Sequence, residues 1–173
     1  HEVPILVIGH DVRYFSRHFC ELAASVWGCL GGTAQIFDGP RSTPQVSFTV
    51  RHIGAHAGIV ITASHNPPHD NGYKVYFEDG GQIVPPHAEG IVSQVQNVDW
   101  ATVAKYLEKD LSNVRTLPVS LDIAYQDSVK ESLANPELIR QHPPKVVFTS
   151  IHGTGRIAAV PLLEGLGAEV SEV

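Results

Sequence analysis

The chain has 173 residues, of which 43% are hydrophobic and 17% charged, enough apolar content for a globular protein of one or two domains. Its net charge of −6 argues against nucleic acid as a partner, because binding a phosphate backbone calls for a basic surface. No apolar run approaches the roughly 18 residues that a membrane-spanning helix needs, no signal-peptide pattern opens the chain, and no methionine occurs. These features predict a cytoplasmic piece of a longer polypeptide. Cys20 and Cys29 are read as small core or surface thiols, neither a disulfide nor a metal pair.

In chain order, Val3 to Ile8 is predicted to be a buried strand that ends at Gly9, followed by a loop containing Asp11 and Arg13. The simplest reading of that pair is that the two residues bind each other or brace the loop. Ser16 is expected to cap a helix whose apolar positions are Phe19, Leu22, Ala23, Val26, Trp27 and Leu30, spaced alternately by three and four as on a single buried face. Gly31-Gly32 ends it. A strand over Thr33–Phe37 follows, then a turn at Asp38-Gly39-Pro40. A helix starts at Thr43-Pro44 and runs to about Ile53, where Gly54 closes it.

The stretch from Gly58 to Gly81 changes character abruptly. Gly58 to Thr62 is a β-branched apolar run, the mark of a buried strand. Ser64 to Gly72 then offers nothing that favours a helix or strand. Two prolines stiffen it, and Asn71-Gly72 is a hairpin-turn signal leading into a second strand, Tyr73 to Phe77. A hydroxyl, Ser64, thus ends a buried strand, and Lys74 returns ten residues later on a neighbouring one. Loops presented by a rigid sheet are where chemistry usually sits.

Beyond Gly81 the chain gives a short extended piece, a helix from Pro85-Pro86 through Val95, and a small helix around Ala101 to Leu107. The boundary of a first domain, 1–114, is expected in the segment between Asp110 and Pro118. In 115–173, Ser120 opens a helix with Leu121, Ala124, Tyr125, Ser128, Val129 and Leu133 on one face, and Asn135-Pro136 interrupts it. A strand over Lys145–Thr149, the turn His152-Gly153-Thr154-Gly155, a helix ending near Leu166-Gly167 and a last strand from Ala168 complete it. The short alternation of strands and helices predicts an α/β fold: a mixed, mostly parallel sheet with helices on both faces, one complete lobe plus the start of a second, similar one. Ser64 would lie at the carboxyl end of a strand, where open α/β sheets bind ligands. One βαβ unit cannot cover both faces of its sheet, so the second lobe is expected to be mobile or to pair with another chain.

Thr62-Ala63-Ser64-His65-Asn66-Pro67, followed by Asn71-Gly72-Tyr73-Lys74, resembles the phosphoserine loop of the α-D-phosphohexomutases, the phosphoglucomutase and phosphomannomutase superfamily. Gly9-x-Asp11-x-Arg13, Thr43-Pro44 and the turn at His152 match the same family by position. The resemblance implies that Ser64 carries a transferable phosphoryl group and that Lys74 is a general acid/base that also meets the sugar phosphate. It places His65 beside the phosphate and the sugar, with Asp11, Arg13 and Asn66 supporting the loop. It also implies Mg²⁺, to which this chain would offer only a phosphoserine oxygen of Ser64, and glucose 1,6-bisphosphate as activator. The family's arginine-bearing, magnesium, sugar and distal-phosphate loops do not occur in this sequence, so the chain alone is expected to be inactive. Tyr73 and its neighbours look nearer to phosphoglucomutases and phosphopentomutases than to phosphomannomutases.

Other readings compete for the same residues. Gly153-x-Gly155-x-x-Ala158, with Glu172 at the end of the next strand, is a dinucleotide-binding pattern. Ser64 could be a hydrolase nucleophile, although Thr62 and Asn66 stand where that turn wants glycines. His52 with His56, or His65 with His69, could bind a metal, but neither pair has helical support. A catalytically dead homologue that only binds sugar phosphates remains open.

Overall fold

The computed structural model describes residues 2–106 and 108–173. Its contacts divide the chain into two compact units, the first ending at Leu117 and the second beginning at Pro118. In the first, five strands form one sheet in the order β4-β3-β1-β2-β5, where β1 is Ile5–His10, β2 Thr33–Ile36, β3 Ala57–Ile61, β4 Tyr73–Phe77 and β5 Val114–Thr116. Only the β3–β4 pair is antiparallel. Two helices connect the parallel strands, α1 (Ser16–Cys29) and α2 (Thr43–His52). The chain steps from β1 to β2 through α1, then back across β1 to β3 through α2. Right-handed crossovers in opposite directions put the two helices on opposite faces. The mixed, mostly parallel α/β sheet expected from the sequence is the one observed.

Alternate residues of β1 fill the two faces. Leu6 and Ile8 pack with Cys20 and Ala24 of α1, together with Ala34, Ile36, Ile59 and Ile61. On the other face glycines let α2 approach: a Cβ at Gly9 would lie 2.3 Å from Val46 Cγ2, and one at Gly58 would lie 2.6 Å from Val50 Cγ2.

The face of α1 differs from the periodic expectation. Its buried residues are Ser16, Cys20, Ala24, Ser25 and Gly28, whereas Phe19 is 39% and Leu30 67% exposed. Small residues make the fully buried contact, and of the expected face Ala23 and Trp27 pack partly buried against the same core cluster. Phe19, Leu22, Val26 and Trp27 also line an open apolar groove with Ile59, Ile61, Tyr73 and Val75. Periodicity registers apolarity and is blind to size, and size chose the contact. Burial pushes the Cys20 thiol up to about 12, while Cys29 is exposed, and neither forms a disulfide.

The segment after β4 contains α3 (His87–Gln96), α4 (Trp100–Val103) and a 3₁₀ turn at Ala104–Tyr106, and Leu107, the expected helix end, lies outside the described residues. Strand β5 was not expected. Its Val114 to Thr116 pair with Ala34 to Ile36 of β2, which is why the first unit runs three residues past position 114. The second unit holds α5 (Ser120–Glu131), α6 (Pro136–Gln141), β6 (Lys145–Phe148), α7 (Arg156–Gly165) and β7 (Glu169–Glu172), with β6 and β7 parallel. No helix among the described residues is long and apolar enough to cross a membrane.

The close approach of α1 gives a direct test. Ala24→Leu should lower stability by about 1–3 kcal/mol through overpacking, whereas Leu30→Gln should change it by less than about 0.5 kcal/mol. Urea unfolding of both variants measures this. Equal costs would restore the periodic face as the packing surface.

Candidate functional site

Parallel pairing of β1 with β3 sets His10 opposite Ile61, so the loops that leave these two strands start side by side. This is the point where strand order reverses, with β2 on one side of β1 and β3 on the other, and it is where ligands bind in open α/β sheets. Asp11 is the first residue after β1, and Thr62 is the first after β3.

The Asp11 carboxylate organises the junction. Oδ1 accepts from the Arg13 backbone N–H at 3.0 Å, and Oδ2 accepts from Arg13 Nε at 3.0 Å and from the Thr62 hydroxyl at 2.6 Å. The Thr62 oxygen in turn accepts the Ser64 N–H at 3.0 Å. Arg13 reaches under the Ser64 loop. Nη2 donates to the Ser64 carbonyl at 2.5 Å, and Nη1 donates to the Pro67 carbonyl at 2.5 Å and more weakly to that of Asp70 at 3.4 Å. The Arg13 side chain is only 7% exposed and that of Asp11 16%, so removing either would strand a partly buried charge.

Further bonds close the loop at its far end. Tyr14 N–H donates to the Pro68 carbonyl, Asn71 Nδ2 donates to the Tyr14 carbonyl, and Thr62 N–H donates to the Gly72 carbonyl. The prolines suit this design, since Pro67 and Pro68 offer carbonyls while bringing no N–H that needs a partner. Asn71-Gly72 is not the hairpin turn expected from the sequence. The connection between β3 and β4 is the whole of 62–72, and Gly72 is there because a Cβ would lie 2.5 Å from the Thr62 carbonyl oxygen.

Ser64, His65 and Asn66 stand exposed on this frame. Ser64 has φ +58, a left-handed conformation that costs an L-residue about 1–2 kcal/mol. His65 Nδ1 lies 3.4 Å from Ser64 Oγ, and Asn66 N–H donates to the Ala63 carbonyl within the turn. Lys74 is half-buried on β4 opposite Val60, and its side chain makes no hydrogen bond or ion pair among the described residues. Tyr73 and Val75 line the α1-side groove, so alternation assigns Lys74 to the other face of the sheet. Among the sequence-selected residues, Asp11, Arg13 and Ser64 are joined in one network and His65 adjoins it. Lys74 is one strand away. Thr62 and Tyr14 belong to the network without having been singled out. Thr62 closes the apolar run and opens the hexapeptide in the sequence, but its partner Asp11 becomes visible only once β1 and β3 are known to be neighbours.

His10, 4% exposed, lies beneath the junction. Its Nδ1 is 2.7 Å from the Asp11 carbonyl, so that nitrogen carries the proton, and its buried Nε2 has no partner among the described residues. Burial, assisted by the Arg17 charge, lowers its pKa from the usual histidine value. Ser16 does not cap α1 with its side chain. Its hydroxyl is within bonding distance of the Asp11 and Arg13 carbonyls, at 2.8 and 3.0 Å, bracing the same loop.

The rival constellations fare less well. Glu172, the acid of the dinucleotide pattern, is paired with Arg156, whose Nε lies 2.6 Å and Nη2 3.2 Å from its carboxylate. His52 stacks on Phe48, and His56 Nδ1 accepts the Ile5 N–H. No group of three or more His, Cys, Asp or Glu side chains able to hold a metal occurs among the described residues.

Residues 1–102 match the family model for phosphoglucomutase/phosphomannomutase, alpha/beta/alpha domain I. A phosphoglucomutase from Staphylococcus saprophyticus is 34% identical over 95% of this chain, and the human phosphopentomutase is 38% identical over 87%. The chain spans only 29% and 26% of these relatives' lengths. Among solved structures, a provisional phosphomannomutase from Thermus thermophilus superposes on 99% of the chain with a TM-score of 0.82 and 28% identity, the match covering 37% of that protein. The open form of parafusin from Paramecium shares the fold at a TM-score of 0.77 and 17% identity, over 98% of this chain and 36% of its own.

The depressed pKa of His10 has a consequence for pH. The unfolded chain takes up this proton near pH 6.5 while the folded chain resists it, so stability rises with pH in that range. The contribution of His10 is complete above about 6.5 and is lost as pH falls from there towards the lower folded value. The melting temperature should therefore drop on acidification from pH 7.5 to 5.5, and His10→Asn should flatten the slope. An unchanged slope in that variant would assign the effect to other histidines.

Proposed function

Because the chain belongs to the phosphoglucomutase/phosphomannomutase family, we propose that it carries the phosphoserine loop of a phosphosugar mutase, with Ser64 as the phosphoryl carrier. The observation that carries this reading is Ser64 itself: an exposed hydroxyl at a strand end, on a loop whose peptide groups are tied to a buried ion pair. Phosphoryl transfer asks the protein mainly to position oxygens and balance charge, and a loop held this firmly suits that task.

In the proposed reaction a sugar hydroxyl attacks the phosphorus of phospho-Ser64. The new sugar O–P bond forms as the Ser64 Oγ–P bond breaks, and the hydroxyl proton leaves through Lys74 to restore the proton on Ser64 Oγ. The resulting 1,6-bisphosphate reorients and returns its other phosphate to Ser64 by the reverse step. Lys74 suits proton transfer because no carboxylate binds its amine among the described residues. His65, beside Ser64 Oγ, would meet the phosphate and the sugar. Asn66 shapes the turn.

Mutases of this family generally use Mg²⁺ to offset phosphate charge. The donors present do not make a magnesium cage, since the residues around Ser64 offer a single phosphate oxygen once phosphorylated and no carboxylate cluster. Glucose is the sugar we favour, with glucose 1,6-bisphosphate as activator. A pentose phosphate is the second reading, since phosphoglucomutases and phosphopentomutases are both among the relatives.

Incubation of the longer protein with glucose 1,6-bisphosphate should place one phosphate on Ser64 by peptide mass mapping, and phosphate on Ser42 or Thr62 instead would overturn the assignment. In the longer protein, Lys74→Ala should lower turnover by roughly 10²–10⁴-fold, the range for a positioned acid or base. Near-normal turnover would reduce Lys74 to a surface charge. The chain of 1–173 alone, which spans 29% of the phosphoglucomutase it resembles, should read background in a coupled assay from glucose 1-phosphate to glucose 6-phosphate, because positioning supplies about 7–11 kcal/mol of such a barrier.

A further inference from the structure

We infer that Thr62 is a positioning residue for phosphoryl transfer, acting through the Ser64 amide and anchored by Asp11, with Arg13 holding the other side of Ser64. The inference rests on Ser64 being the phosphoryl carrier.

The direction of each bond is forced. An ionised carboxylate only accepts, so the Thr62 hydroxyl at 2.6 Å must give its single proton to Asp11 Oδ2. Its lone pairs are then left for the Ser64 N–H, which lies 3.0 Å away. The peptide unit before Ser64 is thereby fixed. The unit after Ser64 is fixed separately, because Arg13 Nη2 donates to the Ser64 carbonyl at 2.5 Å while its Nε is held by the same Asp11 oxygen. One carboxylate oxygen thus sets the rotation of both peptide groups that define where Oγ points.

The alternative conformations of an L-residue at this site would swing Oγ elsewhere, since Ser64 sits at φ +58. A reacting atom misplaced by about 1 Å costs on the order of 10²-fold in rate. Arg13 is committed to this frame. Its donors go to Asp11 and to the carbonyls of Ser64, Pro67 and Asp70, so its place is beneath the loop as scaffold and it is no phosphate ligand.

Thr62 is the most informative position to change, because it is buried and valine has its shape without its hydroxyl. Asp11 keeps both bonds to Arg13 in such a variant. In the longer protein, Thr62→Val should lower kcat by roughly 10–100-fold, with KM within about threefold of wild type. Thr62→Ser, which keeps the hydroxyl, should stay within about threefold in both. A purely structural role would lower the melting temperature of Thr62→Val and leave kcat unmoved, and that result overturns the inference. So does a serine variant as slow as the valine one. If Thr62→Val fails to fold, Arg13→Lys makes the same test from the other side, since lysine keeps the charge but lacks the fork that spans Asp11 and the carbonyls. A tenfold or greater loss of kcat supports the inference, and wild-type kcat overturns it. Wild-type protein that takes no phosphate on Ser64 defeats the carrier assignment and this inference with it, an outcome distinct from an active wild type with an equally active Thr62→Val.

Discussion

The ion pair between Asp11 and Arg13 is the constraint on which the candidate site depends. A loop with two prolines and an exposed left-handed serine has little reason to hold one shape by itself. Here its carbonyls are gathered by one guanidinium and its first amide by one hydroxyl, and both lead back to one carboxylate. The pair is well buried, so its contribution depends on every remaining donor and acceptor being used. They are used on the backbone of the Ser64 loop. The charge pair is thereby the floor of the site.

Sheet topology makes that arrangement possible. Only because β1 and β3 are adjacent and parallel do Asp11 and Thr62 leave their strands side by side. Opposite crossovers put α1 and α2 on opposite faces of the sheet, so the two loops meet over the strand ends between them, with the first residue of α1 bracing one of them. The pair also adds no net charge to the site. Asp11 and Arg13 cancel, and a phosphate on Ser64 would bring about −1.5 to −2 of charge beside His65, with Lys74 one strand away.

Much of this was legible in the sequence, for identifiable reasons. The change from β-branched residues to polar and proline-rich ones at Ser64 marks a strand end wherever it occurs, and Tyr73–Phe77 is strand in pattern and in fact. Asp11 and Arg13 are two residues apart in a loop, so their pairing was local and readable. What the sequence could not display was anything that depends on strand order. Thr62 bonds a residue 51 positions away, and β5 joins β2 across the sheet with only three residues of strand. Nor does apolar spacing carry size, which is why α1 packs through Cys20, Ala24 and Gly28 and turns its larger residues to a groove. Asn71-Gly72 misled for a similar reason: the asparagine serves Tyr14 and the glycine makes room for the Thr62 carbonyl, roles set by tertiary contacts instead of by turn chemistry.

Residue-resolved amide exchange over the Ser64 loop tests the central claim most directly. Ser64 is an exposed residue whose amide is bonded to a buried hydroxyl, so exposure and protection are set against each other. If the clamp holds the loop, the Ser64 amide should exchange at least about tenfold more slowly than in an unstructured peptide, and Asp11→Ala should abolish that protection while the amides of β3 keep theirs. A Ser64 amide that exchanges at the unstructured rate in the intact chain would contradict the account.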